Sequence, residues 1–254
     1  MFEDVCYRNP FLKEVIFKAD FPTLVLGVEK GLSAKASKTI LNRFPLSEPQ
    51  KAHAQEFQFS GGSNFQTRTQ ELMQWIFHGE KRDKTLAIDQ HSFSYTNRAY
   101  KTYEGLQEDI NLPLESFFND YKDLTAGRLG LRYVNVIEIK EGDPLEWKEY
   151  LNEDMLGIID FNQDKGNLTR MFHILEYNFD GLQIKFQFGI ANPDYPAPVR
   201  KKQFVLDIDA YSHGAFEYRD IGEFISQAHE RIQSLFETSI TDKTRYLMRP
   251  ANEE

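Results

Sequence analysis

Almost at the middle of the 254-residue chain lies the run Gly127-Arg128-Leu129-Gly130-Leu131-Arg132-Tyr133-Val134-Asn135-Val136-Ile137-Glu138-Ile139-Lys140. Large apolar side chains recur at alternate positions of this run, which is typical of a β-strand that buries one face. Arg128 and Arg132 have the opposite parity and are expected on the opposite face. The run therefore predicts a strand from Arg128 to Lys140, around which the chain divides into two similar halves.

The segments before this strand predict strands and two helices. An alternating strand is predicted from Phe11 to Phe21, between Pro10 and Pro22. Later strands are predicted at Gln55 to Ser60, Leu72 to His78, Lys84 to Asp89 and Ser92 to Asn97. Helices are predicted from about Val28 to Arg43 and from about Tyr103 to Lys122, the second kinked or split by Pro113. The glycine-rich stretch from Ser60 to Asn64 predicts a mobile loop.

The segments after the central strand repeat this order. Asp143 and Pro144 have the residue types of an N-cap and first helical position, and they predict a short helix that runs to Leu151. The Asp180-Gly181 pair predicts a hairpin turn. The remaining predictions are strands at Leu156 to Phe161, Met171 to Phe179, Leu182 to Phe188 and Gln203 to Tyr211, and a closing amphipathic helix from Ile221 to Phe236.

Each half thus reads strand, helix, about four strands, helix. This order predicts an α+β fold made of duplicated β-α-β(3-4)-α halves, with a mainly antiparallel sheet and helices packed on one face. The predicted division is an N-terminal pseudo-repeat at residues 1–125 and a C-terminal one at 126–254, within one structural unit. The element order resembles the duplicated saddle of the TATA-binding protein, a shape also found in SOUL-type proteins.

A second resemblance rests on particular residues. The chain is similar to a sporadically distributed family of bacterial conserved-hypothetical proteins, which implies laterally transferred genes such as those of mobile elements and phage defence. The residues that carry this resemblance are Asn9-Pro10-Phe11, the run from Arg128 to Asn135, Leu206-Asp207-Ile208-Asp209, and His229 and Phe236 in the closing helix.

The composition restricts the partners of the chain. Its net charge of -9 disfavours direct nucleic-acid binding, since phosphate contacts need a basic face. A single cysteine, Cys6, excludes an internal disulfide, and neither a signal peptide nor a membrane span is recognisable. The six histidines lack metal-ligand spacing. We therefore expect a cytoplasmic protein, with no cofactor, metal ion or catalytic residue predicted.

The two arginines of the central strand allow two interpretations. Arg128 and Arg132 can hold a carboxylate, a phosphate or an acidic segment of a partner by forked hydrogen bonds. Alternatively, each pairs with an acidic residue on a neighbouring strand and stabilises the fold.

Asp207 and Asp209 also share one face of a predicted strand, about 6.5 to 7 Å apart. They allow a divalent-cation site, as in a metal-dependent nuclease, if a third ligand joins them. The simpler hypothesis is that they meet Arg128 and Arg132 across the sheet, and contact with a partner is the third.

Loops supply the last candidates. Tyr195 lies in a proline-rich loop and is followed by Arg200, so an aromatic ring and positive charge are combined on a stiff segment. This loop is either a recognition tip or an ordinary hairpin connection. The Ser60 to Asn64 loop is either a flexible connector or a segment that orders on binding.

The leading hypothesis for function is a non-enzymatic, protein-binding scaffold: an accessory, regulator or immunity-type partner that uses the open face of its sheet or its loops. The acidic net charge favours a basic partner. The alternative hypothesis is a sensor of a small or anionic ligand, with a cavity of several hundred Å³ between the halves and Arg128 or Arg132 as the anion anchor. The oligomeric state is not predicted.

Overall fold

The computed structural model describes residues 5–59, 65–121, 123–161 and 163–251, and gives the backbone alone for residues 52–72. The strands in chain order are β1 (Leu12–Asp20), β2 (Leu46–Ser47), β3 (Gln50–Phe59), β4 (Phe65–His78), β5 (Lys84–Ile88), β6 (Ser92–Asn97), β7 (Ala126–Ile139), β8 (Met171–Phe179), β9 (Leu182–Ile190) and β10 (Lys202–Phe216). The α-helices are α1 (Ala34–Arg43), α2 (Tyr103–Asp120), α3 (Tyr218–Ser239) and α4 (Asp242–Met248).

All the strands belong to one sheet with the order β2-β4-β5-β6-β1-β7-β10-β9-β8, and β3 pairs with β4 beside this path. Every pairing is antiparallel. Outward from the central β1–β7 pair, β6, β5 and β4 follow on one side, and β10, β9 and β8 on the other. On each side of the centre, three strands that are consecutive in the chain therefore follow in reverse order, the last of them lying nearest the centre. The division into halves at 1–125 and 126–254 stays a prediction.

The helices cover one face of the sheet. On α2, Phe117 contacts Phe93 of β6, with ring centroids 6.1 Å apart. On α3, His229 is hydrogen-bonded to the hydroxyl group of Tyr133 on β7, at 2.9 Å. Side chains that point toward the helices are buried, and burial of each large one stabilises the fold by roughly 1.5 to 3 kcal/mol. The predicted α+β class, with an antiparallel sheet and helices on one face, is confirmed.

The predicted helix from Val28 to Arg43 is wrong in its first half. Only a short 3-10 turn forms at Val28–Lys30, and Gly31 then adopts a φ of 137°, a value that ends any helix. Helix α1 starts afresh after Ser33, whose hydroxyl oxygen accepts a hydrogen bond from the Ala36 amide at 3.1 Å. Serine as an N-cap thus sets the true start of this helix.

The predicted helix from Asp143 to Leu151 is also wrong, because this segment forms a series of turns. The Asp143 carboxylate accepts a hydrogen bond from the Leu145 amide at 2.8 Å, so it closes a local turn and does not cap a helix. Trp147 donates its indole N–H back to the Pro144 carbonyl at 2.9 Å and is buried in the core. Burial of the tryptophan holds the segment in this irregular shape.

The predicted strand from Leu156 to Phe161 is replaced by turns as well. Leu156 and Ile159 are both buried, and the Ile159 amide donates to the Leu156 carbonyl at 2.9 Å. Burial at a spacing of three belongs to a helical turn, whereas a strand would bury alternate residues. Phe161, at the end of this segment, is left exposed to solvent.

Other differences are smaller. Strands β3 and β4 are longer than the predicted strands at Gln55 and Leu72, and α2 continues through Pro113 without splitting. The predicted loop from Ser60 to Asn64 falls outside the described residues. The hairpin at Asp180-Gly181 is confirmed, since both residues have positive φ angles, as such turns require.

Helix α4 was not predicted from the sequence. Its Arg245 side chain donates to the Glu237 carboxylate at 2.8 Å, and the Tyr7 hydroxyl group donates to the same carboxylate at 2.7 Å. Glu237 is almost completely buried, so these bonds compensate its charge. Among the described residues, no helix is long and apolar enough to cross a membrane.

Candidate functional site

The sheet face opposite the helices is polar at its centre. As predicted, Arg128 and Arg132 point away from the buried side chains of Leu129, Leu131 and Tyr133. The register brings residues of three neighbouring strands together on this side. We call it the open face; its central residues are Glu14, Ile16, Lys18 and Asp20 of β1, Arg128, Arg132, Val134 and Val136 of β7, and Asp207, Asp209 and Tyr211 of β10.

Arg132 and Asp207 form the strongest pair on the open face. The guanidinium Nε donates to one carboxylate oxygen at 2.7 Å, and Nη2 donates to the other at 2.5 Å. This two-pronged geometry is the most favourable for an arginine and a carboxylate. The hydrogen bonds that Arg132 donates to Asp207 raise the pKa of its guanidinium above the ordinary value. Both oxygens of Asp207 are therefore engaged by protein.

Arg128 lies between two other carboxylates. Its guanidinium nitrogens are 3.6 Å from an oxygen of Asp20 and 3.7 Å from an oxygen of Asp209, and its charge lies 5.1 Å from the centre of the Tyr211 ring. Burial raises the pKa of the Asp209 carboxyl above its ordinary value, although the two arginines act to lower it. Arg128 thus only partly compensates the charge of Asp209.

These contacts agree with the ion-pair interpretation of the four residues. An anion at Arg132 or a cation at Asp207 would have to compete with the partner that the protein already supplies. A depression of about 130 Å³ beside the pair is lined by groups of both signs, from Arg132, Lys185, Gln187, Asp207 and Asp209. The described residues contain no group of three His, Cys, Asp or Glu side chains positioned for a metal ion.

The two aspartates are expected to differ when each is changed to asparagine. Asp207→Asn should lower the free energy of unfolding by about 1 kcal/mol at pH 7, because it weakens a paired but solvent-screened interaction. Asp209→Asn should change it by less than about 0.5 kcal/mol. The raised pKa of Asp209 means that its ionised form costs stability, which the amide avoids. Urea unfolding of both variants measures the difference, and an equal loss would contradict it.

The loop with Tyr195 and Arg200 is an ordered connection between β9 and β10. The buried side chain of Asn192 donates to the Thr169 and Ala197 carbonyls, both at 2.7 Å, and so ties the loop to the preceding segment. Tyr195 is half exposed and lies under the Arg170 guanidinium, 4.4 Å from its ring centre. Arg200 is exposed. The predicted role of Tyr195 and Arg200 in binding stays a prediction.

A small cavity lies on the helix side of the sheet, between the N-terminal segment, β7 and α3. It has a volume of about 60 Å³, and its lining includes Cys6, Tyr7, Tyr133, His229 and Glu237. This volume is well below the several hundred Å³ of ordinary ligand sites. Arg128 and Arg132 point to the other face of the sheet and cannot anchor an anion here. This cavity is therefore not the predicted ligand site, and the ligand-sensor hypothesis stays a prediction.

His229 could act as a general base by its chemistry, but its contacts hold the fold together. Its ring stacks on Tyr103 with centroids 4.0 Å apart and planes 6° from parallel. Its Nδ1 atom forms the hydrogen bond with the Tyr133 hydroxyl group, and the side chain is buried. These contacts fix α3 against β7 and the start of α2.

The site that sequence reasoning missed is the outer strand β8. It pairs only with β9, and no other described strand pairs with its outer side. Five of its apolar side chains are 37 to 53% exposed, and Phe161 in the preceding turn is 83% exposed. Phe161 and Ile158 line a depression next to Met171, the first residue of β8. We call this surface the β8 edge; its residues are Ile158, Phe161, Phe172, Ile174, Leu175, Tyr177 and Phe179.

The sequence does contain a signal for this surface. Strand β10 alternates apolar residues with Gln203, Asp207 and Asp209, whereas the strand Met171-Phe172-His173-Ile174-Leu175-Glu176-Tyr177-Asn178-Phe179 carries apolar residues on both parities. Such a pattern normally belongs to a strand covered on both faces. At the border of a sheet it leaves apolar surface in water, and the position of β8 in the sheet is what sequence alone does not reveal.

No protein-family model matches this chain, and no curated protein shows significant similarity to it.

Proposed function

We propose that this protein is a bacterial, cytoplasmic scaffold that acts by binding another protein and not by catalysis. In this proposal it is an accessory, regulator or immunity-type partner encoded in a mobile-element or phage-defence locus. The binding surface is the β8 edge. The observation that carries the proposal is that the outermost strand of the sheet is long, apolar on both faces and unpaired on its outer side within the described residues.

Strand addition is the binding mode that this surface favours. Alternate residues of an outer strand direct their N–H and C=O groups away from the sheet, where an extended segment of another protein can pair with them. Neighbouring side chains then give specificity. On β8, the exposed side chain of Ile174 lies on the open face, and those of Leu175 and Tyr177 lie on the helix side, so a paired segment would contact all three.

The composition of β8 also favours pairing. The far border of the sheet is formed by the two-residue β2 and the ten-residue β3, which both pair with β4. Strand β8 has nine residues and contains no proline, lysine or arginine. Those residue types commonly protect a border strand from pairing, so their absence from β8 favours its use in binding.

The charge of the chain favours a basic residue in a partner of different sequence. Glu176 is the only acidic or basic residue in β8 apart from His173, and the whole chain has a net charge of -9. A partner segment with alternating apolar residues and a basic residue opposite Glu176 fits both features, because opposite charges across a strand pair are favourable.

Differential capture tests the proposal. Tagged protein is incubated with lysate of the native host in three forms: the unchanged chain, Ile174→Lys, and Leu26→Lys as the control. Ile174 lies on the β8 edge, whereas Leu26 is 75% exposed in the loop after β1. Both changes place a lysine at an exposed aliphatic position, so both are expected to fold.

The expected result is a protein other than the chain itself, recovered equally by the unchanged chain and Leu26→Lys, and reduced about tenfold or more by Ile174→Lys. Circular dichroism confirms the fold of each variant. Recovery of no specific protein, or of one that Ile174→Lys retains in full, would overturn the proposal.

A further inference from the structure

We infer that the β8 edge binds the β8 edge of a second copy of this chain, with Leu175 of both copies on a two-fold axis. The inference rests on the proposed function, because it names an occupant for the same surface. A different protein that binds there must then displace the second copy, so its apparent affinity falls as the dimer becomes more stable.

The strand is complementary to itself in one antiparallel register. An axis through Leu175 lets all nine residues of β8 pair, since Leu175 lies at the centre of Met171–Phe179. Antiparallel pairing about a two-fold axis places each residue opposite its mirror position. The opposed pairs are Leu175 with Leu175, Ile174 with Glu176, His173 with Tyr177, Phe172 with Asn178, and Met171 with Phe179.

This register joins apolar side chains on the helix side. Leu175, Tyr177 and Phe179 lie opposite Phe186, Ile184 and Leu182 of β9, whose side chains are buried in the core. Pairing with a second copy would therefore extend the core across the axis. A slip of one residue would instead oppose helix-side residues with open-face residues of the other copy, which separates the apolar set.

Charge selects the same register. An axis through Glu176 would place two carboxylates directly opposite each other and shorten the overlap, and both effects are unfavourable. With the axis at Leu175, each Glu176 is opposite Ile174 of the other copy. Each Glu176 also keeps Lys185 of its own β9 as its neighbour in the sheet.

A buried polar atom adds a second observation. The Nε2 atom of His173 is buried, with no hydrogen-bond partner among the described residues, and the ring stacks on Phe188 at 5.3 Å. In the inferred register, Tyr177 of the second copy lies opposite His173, with Cβ atoms about 4.5 to 5.5 Å apart. Pairing in this register would therefore cover the His173 ring with an aromatic side chain that carries a hydroxyl group.

The exposed area is sufficient for a stable dimer. The apolar side chains of the β8 edge expose on the order of 600 Å² in one copy, given that an aromatic side chain has roughly 150 to 250 Å². If all of this area is covered, two copies together bury about 1,200 Å², the lower end of specific interfaces. Phe161 lies beside Met171. The register places Met171 against Phe179 of the other copy. At each end of the paired strands, the rings of Phe161 and of the other copy's Phe179 are therefore covered.

Opposite charges at the axis test the inference. Leu175→Lys and Leu175→Glu each place like charges on the axis of a homodimer, whereas an equal mixture of the two places opposite charges there. Molar mass is measured by light scattering after size-exclusion chromatography for the unchanged chain, Leu26→Lys, each variant and the mixture.

The unchanged chain and Leu26→Lys are expected to be dimers. Each Leu175 variant alone should be a monomer, with dimerisation weakened about thirtyfold or more, and the mixture should recover the dimer. Recovery in the mixture shows that both variants are folded. A mixture that stays monomeric, while the variants have native circular dichroism, would overturn the axis at Leu175.

A monomeric unchanged chain at all concentrations would overturn the second copy as the occupant. That result leaves the differential capture by Ile174→Lys intact as a test of the proposed function. Conversely, if the unchanged chain is a dimer but captures no other protein from the lysate, the inference is supported and the proposed scaffold function is overturned.

Discussion

Replacement of Asp109 by asparagine is expected to lower the free energy of unfolding by about 3 to 5 kcal/mol. Asp109 lies on α2 with no exposed surface. Its carboxylate accepts a hydrogen bond from the Tyr95 hydroxyl group at 2.6 Å and from the Lys84 ammonium at 2.5 Å, and it is also bonded to Arg43. The amide would leave two cations near the core without their shared counter-charge.

The adjacent residue provides the control. Glu108 pairs with the same Arg43 at 3.1 Å, but its side chain is 64% exposed. Glu108→Gln is therefore expected to cost less than about 0.5 kcal/mol. Urea unfolding at pH 7 gives both values, and a loss for Asp109→Asn within about 1 kcal/mol of the unchanged chain would refute the role of this cluster.

The same carboxylate predicts a pH dependence. Burial acts to raise the pKa of Asp109, but the hydrogen bonds from Lys84, Tyr95 and Arg43 outweigh it and hold the pKa below its ordinary value of 3.8. A lowered pKa means that the ionised group stabilises the fold above that pH, and that this stabilisation is lost as the pH falls further. The gap between the unchanged chain and Asp109→Asn should therefore narrow below about pH 3.8.

The second large effect is expected at Gly189 of β9. Its φ is 150°, and a Cβ atom placed there would lie 2.0 Å from the carbonyl oxygen of Met171 on β8. Gly189→Ala must push the two strands apart at the start of β8, besides the strain of its backbone conformation. We expect a loss of about 3 kcal/mol or more in the free energy of unfolding, together with faster hydrogen exchange along β8.

A substitution at Gly181 measures the effect of backbone strain without a steric clash. It also has a positive φ, of 100°, but no atom lies within 4 Å of its hypothetical Cβ. Gly181→Ala should therefore cost only about 1 to 2 kcal/mol, from conformation alone. If Gly189→Ala lowers the free energy of unfolding no more than Gly181→Ala does, the close approach of β8 and β9 is not what requires glycine at position 189.

Where local pattern decides the structure, the sequence was sufficient to predict it. Alternation along β7 and β10 determines which side chains reach the core, so the shared face of Arg132 and Asp207 followed from parity. Their direct pairing was one of the hypotheses that parity allowed. The final helix was similarly predictable, because its apolar residues recur at helical spacing over many turns.

Where two local structures use the same residue types, the sequence was not sufficient. Asp143 has the chemistry of both an N-cap and a turn, and the burial of Trp147 decides between them. The position of β8 depends on pairings between distant segments, above all β1 with β7. A strand recognised correctly by its residues can therefore lie at the centre or the border, and only the complete sheet identifies the β8 edge.

The central position of β1 has a consequence for synthesis on the ribosome. Its first partner, β6, is complete at Asn97, but its second, β7, is complete only at Ile139. At about 5 to 20 residues per second, roughly 2 to 8 s separate the two. During that interval β1 is itself a border strand of the nascent chain. Its Glu14, Lys18 and Asp20 then discourage pairing with other nascent chains, before Asp20 pairs with Arg128 of β7 in the finished sheet.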